Sequence, residues 1–346
     1  MGRIGLGTKL KLGVSVALIV LVVLVSDPRE MGEALSGVNL WLIGLVVVLY
    51  LINMAFKAYR WGVLVEHVGH DVSFRSTFTA FSLSQAINNL IPGRVVGETS
   101  RIVDINSREG VSMGKGLATV VTERIMDFVV LTLLSVTSLI LLLASIIEGP
   151  RGYLIFMVMA MVLANIFFIY VLARPALLVR LGAWGVSKVD KVFKGERGAK
   201  YSAKMMGAIG SFNEALTFKG NRKLLVWAAV LTVFIWVNEI VRLYIIIMAL
   251  GAEVTLVAVV AASSLASLSG VLLSAGSGNV VMSSAIFNAA KMDVHVAATA
   301  GVLSALTSIW LAVPVSLVAM LIDHQLGPPS DAGKSSKNID DKKGFN

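Results

Sequence analysis

The sequence predicts an all-α polytopic membrane protein with about six full transmembrane helices and two re-entrant, broken helix hairpins of opposite orientation, arranged as an inverted repeat. Three observations lead there. Hydrophobic residues make up 56% of the 346-residue chain and charged residues 15%, with a mean hydropathy of +0.82, far from the composition of soluble domains. Six apolar runs approach or reach the roughly 20 residues that cross a hydrocarbon core. Two further apolar stretches are interrupted by small and polar residues, the pattern of discontinuous helices in secondary transporters.

Taken in order, the spans fall at residues 12–25, 40–59, 117–147, 153–173, 224–250 and 296–322. Basic residues precede the first, but no small-x-small cleavage site precedes Asp27-Pro28, so it reads as a retained helix and not a signal peptide. Trp41, Trp61, Trp227 and Trp310 stand near span ends, as interface anchors do. Between spans two and three, residues 74–96 are broken by Ser, Gln, Asn and the pair Pro92-Gly93. Between spans five and six, residues 256–282 are rich in Ser, Ala and Gly. Irregular backbone at membrane depth is tolerated only inside protein or beside a water-filled cavity, so both segments are expected to lie against one.

Lys and Arg set the orientation. The N-terminus carries Arg3, Lys9 and Lys11, the loop after span two carries Lys57, Arg60 and Arg75, and the connection at 174–223 is rich in both residues. Both termini therefore lie in the cytoplasm of a multi-pass cell-membrane protein. Apolar residues at partly helical spacing in 174–223 fit amphipathic helices on the inner leaflet as well as a plain basic loop. The domain reading is a transmembrane unit over 1–322 and a disordered cytoplasmic tail over 323–346. The net charge of +9 follows from the basic loops, and no basic module with interleaved aromatics points to nucleic acid. The absence of Cys excludes disulfides and thiolate chemistry. His67 and His70, beside Glu66 and Asp71, read as a solvated loop and not a metal site; no cofactor is expected.

The polar residues inside apolar stretches carry the functional reading. Arg94, Glu98 and Arg101 follow the Pro92-Gly93 break at i, i+4 and i+7, on one helix face, with Gln85, Asn88 and Asn89 on the approach. Guanidinium forks beside the free N–H groups of a helix N-terminus suit phosphate. Glu123, Arg124 and Asp127 open the third span; since residues 128–147 alone supply about 20 apolar residues, the triplet fits the cytoplasmic interface as well as a site in which the two carboxylates at i, i+4 meet Arg94 or Arg101. Glu239 lies 15 residues after Leu224 and 11 before Leu250, and no register brings it to an interface. It must face a cavity, be protonated or pair with Arg242 at i+3. Ser263, Ser264, Ser267, Ser269, Ser274, Ser277 and Asn279 give the second broken segment either an uncharged polar lining or small residues for tight packing. Ser304, Thr307 and Ser308 on the last span read the same way.

The ordered run Arg60-Trp61, Pro92-Gly93-Arg94-x-x-Gly97-Glu98-x-x-Arg101, Gly110-x-Ser112 and Ala118-Thr119-Val120-Val121-x-Glu123-Arg124-x-x-Asp127 resembles the flippase-like family of the lysylphosphatidylglycerol synthase transmembrane region. The resemblance covers roughly residues 12–322 and implies a stand-alone membrane domain that moves lipids between leaflets: aminoacylated phosphatidylglycerol in some members, polyprenyl-phosphate-linked sugars in others. One departure stands out. The family's second Pro-Gly-Gly-x-Gly-x-x-Glu motif is represented only by Ser274 to Val281, without proline or acid.

The resulting expectation is a non-enzymatic lipid translocator. Asn88, Asn89, Arg94, Glu98, Arg101, Glu123, Arg124 and Asp127 form its headgroup site, and Glu239, Arg242, Ser277 and Asn279 line its pathway. The expected partners are membrane lipids with an anionic or phosphate-bearing headgroup; homo-oligomerisation is left open. Two alternatives stand beside it: an integral membrane enzyme using Glu123 and Asp127 to hold Mg²⁺ at a lipid phosphate, and a small-solute secondary transporter.

Overall fold

A computed structural model describes residues 27–91, 95–145, 221–269 and 276–326, with isolated positions at 20, 24 and between 159 and 212. Regular structure among the described residues is helical throughout. A short helix α1 (Pro28–Ser36) opens on proline, and its cap Asp27 accepts a hydrogen bond from the Arg29 amide. There follow α2 (Leu40–His67), α3 (Phe74–Leu90), α4 (Val95–Glu109) and α5 (Met113–Ser145). The second set is α6 (Arg222–Ala249), α7 (Leu256–Ser269), α8 (Ser277–Ala289) and α9 (Val294–Ala305), continued by a π-helical turn (Leu306–Trp310) into α10 (Ala312–Leu326).

Four of these segments are long and apolar enough to cross a membrane: Leu40–His67, Met113–Leu142, Arg222–Ala249 and Val294–Leu326. A 28-residue helix is roughly 42 Å long, more than the roughly 30 Å hydrocarbon core. Side chains such as Leu133, Phe234, Leu317 and Leu321 cover the outer faces, as a lipid-facing surface requires. The spans expected at 12–25 and 153–173, the Pro92-Gly93-Arg94 break and nearly all of 174–223 lie outside the described residues.

Two boundaries move. Span two continues past Tyr59 to His67 because Trp61, Val63, Leu64 and Val65 extend its apolar, buried stripe; Lys57 and Arg60 are therefore inside a helix and not in a loop. At the other end α10 runs to Leu326, and Asp323 belongs to the folded unit and not to a tail. It accepts from Arg75 Nε at 2.7 Å and pairs with Arg108.

The order long, short, short, long occurs twice, in one register. The helices α6, α7 and α8 each begin 182 residues after α2, α3 and α4, and α9 begins 181 after α5. Even the caps correspond: Asn39 accepts from the first-turn amides of α2, and Asn221 does so for α6. Packing is reciprocal. The helix α3 packs on α10 of the second set, and α7 packs on α5 of the first. Between them α2 and α6 form the longest shared face and run antiparallel, since Arg242 lies over the Tyr50 ring while Arg60 donates to Thr232.

Candidate functional site

The helices α2, α3 and α5 of the first set and α6, α7, α8 and the π turn of the second enclose a cavity of about 130 Å³. This is room for several waters or one phosphate-sized group. Its wall holds Lys57, Arg60, Glu123, Arg124, Asp127 and Glu239, with the neutral polar groups Asn53, Gln85, Asn88, Asn89, Ser267 and Asn279 between them.

On the first-set side the charges form a lattice across three helices. Arg60 of α2 makes a two-pronged contact with Asp127 of α5, at 2.6 and 3.2 Å, and reaches Glu123 at 3.1 Å. Glu123 also accepts from Arg101 of α4 at 3.0 Å. Arg101 in turn pairs with Glu98, which accepts from Arg124 Nη2 at 2.5 Å. The Arg101 guanidinium, fully buried, sits between the Trp61 and Phe81 rings at 4.8 and 5.0 Å, a cation–π sandwich in a desolvated place. Gly97 lets α4 approach α3: a Cβ there would overlap the Asn88 side chain and the Ser84 carbonyl.

The second-set side is sparser. Glu239 of α6 is held by Lys57 at 2.8 Å and by Arg242 at 2.9 Å. Arg242 Nη2 also donates to Ser308 Oγ at 2.6 Å and to the Thr307 carbonyl at 3.1 Å. A π turn shifts the backbone ladder by one residue, here with Leu311 N–H bonded to the Leu306 carbonyl, and such turns frequent functional sites. Two of its carbonyls face the polar groups: Thr307 takes Arg242, and Ile309 accepts from Asn89 Nδ2 at 2.8 Å. Trp236 Nε1 donates to Asp127 at 3.2 Å, tying the two sides together.

The structure brings together most of the residues expected from sequence. Asn88, Asn89, Glu123, Arg124, Asp127, Glu239 and Asn279 line the cavity. The predicted meetings of Glu123 with Arg101 and of Glu239 with Arg242 are both present. Glu98 and Arg101 stand one layer behind the wall, and Arg101 is committed to two carboxylates and two rings, so it supports the site and does not present a free fork to a ligand. Ser277 is buried off the cavity wall, and Arg242 faces a smaller adjoining chamber. Arg94 is outside the described residues. Trp61 is no interface anchor: it is fully buried and donates to Thr119 Oγ1 at 3.1 Å, whereas Trp41 is 90% exposed. His67 ends α2, and His70 contacts Lys115 Nζ at 3.2 Å.

Sequence reasoning missed Lys57, Arg60, Asn53 and Trp236 as site residues. The signal for Lys57 and Arg60 was their i, i+3 spacing followed by Trp61-Gly62-Val63-Leu64-Val65, an apolar run too regular for a loop.

A helical membrane protein with an ion-paired polar cavity between two reciprocally packed helix sets is the class that fold and site define. Within that class, the chain belongs to the family of the lysylphosphatidylglycerol synthase transmembrane region, whose model matches residues 10–321. It is similar to a UPF0104 membrane protein of Methanothermobacter thermautotrophicus, 26% identical over 315 residues that cover 89% of this chain and 93% of the relative. A UPF0104 membrane protein of Pyrococcus horikoshii is 26% identical over 82% of this chain and 87% of its own length. One of Methanocaldococcus jannaschii is 25% identical over 80% and 83%. No solved structure gives a significant match.

Proposed function

We propose that this protein translocates a phosphate-bearing lipid, such as a phospholipid or a polyprenyl-phosphate-linked sugar, between membrane leaflets. Its headgroup passes through the cavity between the two helix sets while the lipid tails stay in the bilayer. One observation carries the reading: three cations, Lys57, Arg60 and Arg124, stand on the wall of a cavity between helices long and apolar enough to cross a membrane. Charge at membrane depth is costly and marks substrate paths, and guanidinium and ammonium groups on a cavity wall suit a phosphate. Lys57 and Arg124, with side chains 18% and 23% exposed, are the cations that reach an incoming phosphate.

The common register, the antiparallel α2 and α6 and the reciprocal packing support an inverted repeat, the plan on which alternating access is built. In this reading both termini are cytoplasmic, the first broken segment opens inward and the second outward. Each of the four carboxylates is engaged by a guanidinium or ammonium group, which favours transport over metal-dependent lipid hydrolysis.

The test is a leaflet-translocation assay in proteoliposomes with a labelled anionic phospholipid. Wild type should exceed protein-free vesicles, and Lys57→Gln and Arg124→Gln should each slow movement about tenfold, the scale of one charge-assisted contact. Variants as fast as wild type would refute the assignment of the headgroup site.

A further inference from the structure

Beside the main cavity a second chamber of about 20 Å³ lies among α6, α7, α8 and α9, the size for one water or one small ion. Arg242, Ser283 and Ser304 contribute to its wall, and Glu239, Asn279 and Ser308 are shared with the main cavity. Among the described residues, Arg242 Nε and Ser283 Oγ are buried without a hydrogen-bond partner; Ser283 has no solvent-accessible surface at all. Two orphaned buried donors facing one small space call for an acceptor.

The register between the two helix sets says which acceptor. Arg242 stands 20 residues into α6 as Arg60 stands 20 into α2, and Ser283 stands six into α8 as Arg101 stands six into α4. Ser304 and Ser308 stand ten and 14 residues after Val294, as Glu123 and Asp127 stand ten and 14 after Met113. Where Arg60 is neutralised by two carboxylates, Arg242 meets the Ser308 hydroxyl and the Thr307 carbonyl. Its remaining carboxylate, Glu239, is shared with Lys57. The triad Lys57, Glu239 and Arg242 therefore carries one uncompensated positive charge inside a span, and uncompensated charge there needs a partner.

We propose that this chamber binds a small monovalent anion of chloride size, held by Arg242 Nε and the hydroxyls of Ser283, Ser304 and Ser308, in place of the carboxylate that Glu123 supplies on the other side. The Ser308 hydroxyl already accepts from Arg242 Nη2, so its own proton is available to donate. The site neutralises Arg242 and does not depend on what the main cavity transports.

The experiment is ³⁵Cl line broadening on the full-length protein in detergent, titrated with potassium chloride against potassium gluconate at constant ionic strength and displaced with bromide. Wild type should show saturable, bromide-displaceable broadening. Ser283→Ala should weaken it about tenfold, since it removes one hydrogen bond to a charged ligand. Ser304→Asp places a carboxylate where the anion sits; it should abolish the saturable signal and keep its thermal unfolding midpoint in gluconate. Absence of saturable broadening in wild type, or broadening undiminished in both variants, would overturn the proposal and leave the chamber to water.

Discussion

In the first helix set, Arg60, Arg101 and Arg124 are held by Glu98, Glu123 and Asp127 across three helices. In the second, hydroxyls dominate the same region and turn inward on their own helices: Ser264 to the Val260 carbonyl, Ser267 to Ser263, Ser284 to Val280 and Thr307 to Leu303. The scaffold is common, and the bonding differs in direction. Ion pairs between helices fix their relative position, since separating them strands a charge in a low-dielectric interior. A hydroxyl bonded back to its own turn leaves its helix free to slide against a neighbour. The first set is therefore the frame more heavily cross-tied by ion pairs.

The largest effect should come from the frame. Glu123→Ala takes one of two carboxylates from each of the buried Arg60 and Arg101 and should cost about 3 kcal/mol, whereas Ser304→Ala at the matching position should stay within about 1 kcal/mol in gluconate. Reversible unfolding in lipid nanodiscs measures both, and equal costs would break the comparison. Next comes close packing, which the two sets share. Gly97→Ala meets the Asn88 side chain and the Ser84 carbonyl, and Gly301→Ala meets the Val280 backbone at 2.9 Å. Each should lose about 1–3 kcal/mol, and Gly44→Ala, which meets nothing, should not. A harmless Gly301→Ala would show that α8 and α9 have room to spare and would sharpen the contrast.

The smallest effect is in the loop between α2 and α3. Burial and then Lys115 lower the His70 pKa from its ordinary 6.5. The unfolded chain therefore takes up a proton that the folded one resists, and stability should decline as pH falls below about 6.5. His70→Gln should flatten that decline between pH 7.5 and 5.5; an unchanged slope would remove the loop from the account.

Much of this was legible in residue order. Four expected spans are present, with ends displaced by up to eight residues, and both broken segments are pairs of short helices. The cost of burying an ionisable group announced Glu239 and its partner Arg242, and the i, i+4 spacing of Glu123 and Asp127 announced a shared face toward the arginines. The positive-inside pattern misled at Lys57 and Arg60: a cation near a span end reads as a loop anchor, and its partner Glu239 or Asp127 is distant in sequence. The same distance hid the role of Arg101, whose burial between Trp61 and Phe81 depends on how α2, α3 and α4 pack.

The π turn at Leu306–Trp310 has a mechanical consequence. Its carbonyls hold Arg242 from one helix set and Asn89 from the other, so a single backbone feature is tethered on two sides. If that turn wound back into α geometry, both carbonyls would be drawn into the helix ladder and both tethers would release together. The turn is thereby a coupling in the engineering sense: one local rewinding, worth a single residue of helical phase, would register in both helix sets in the same stroke.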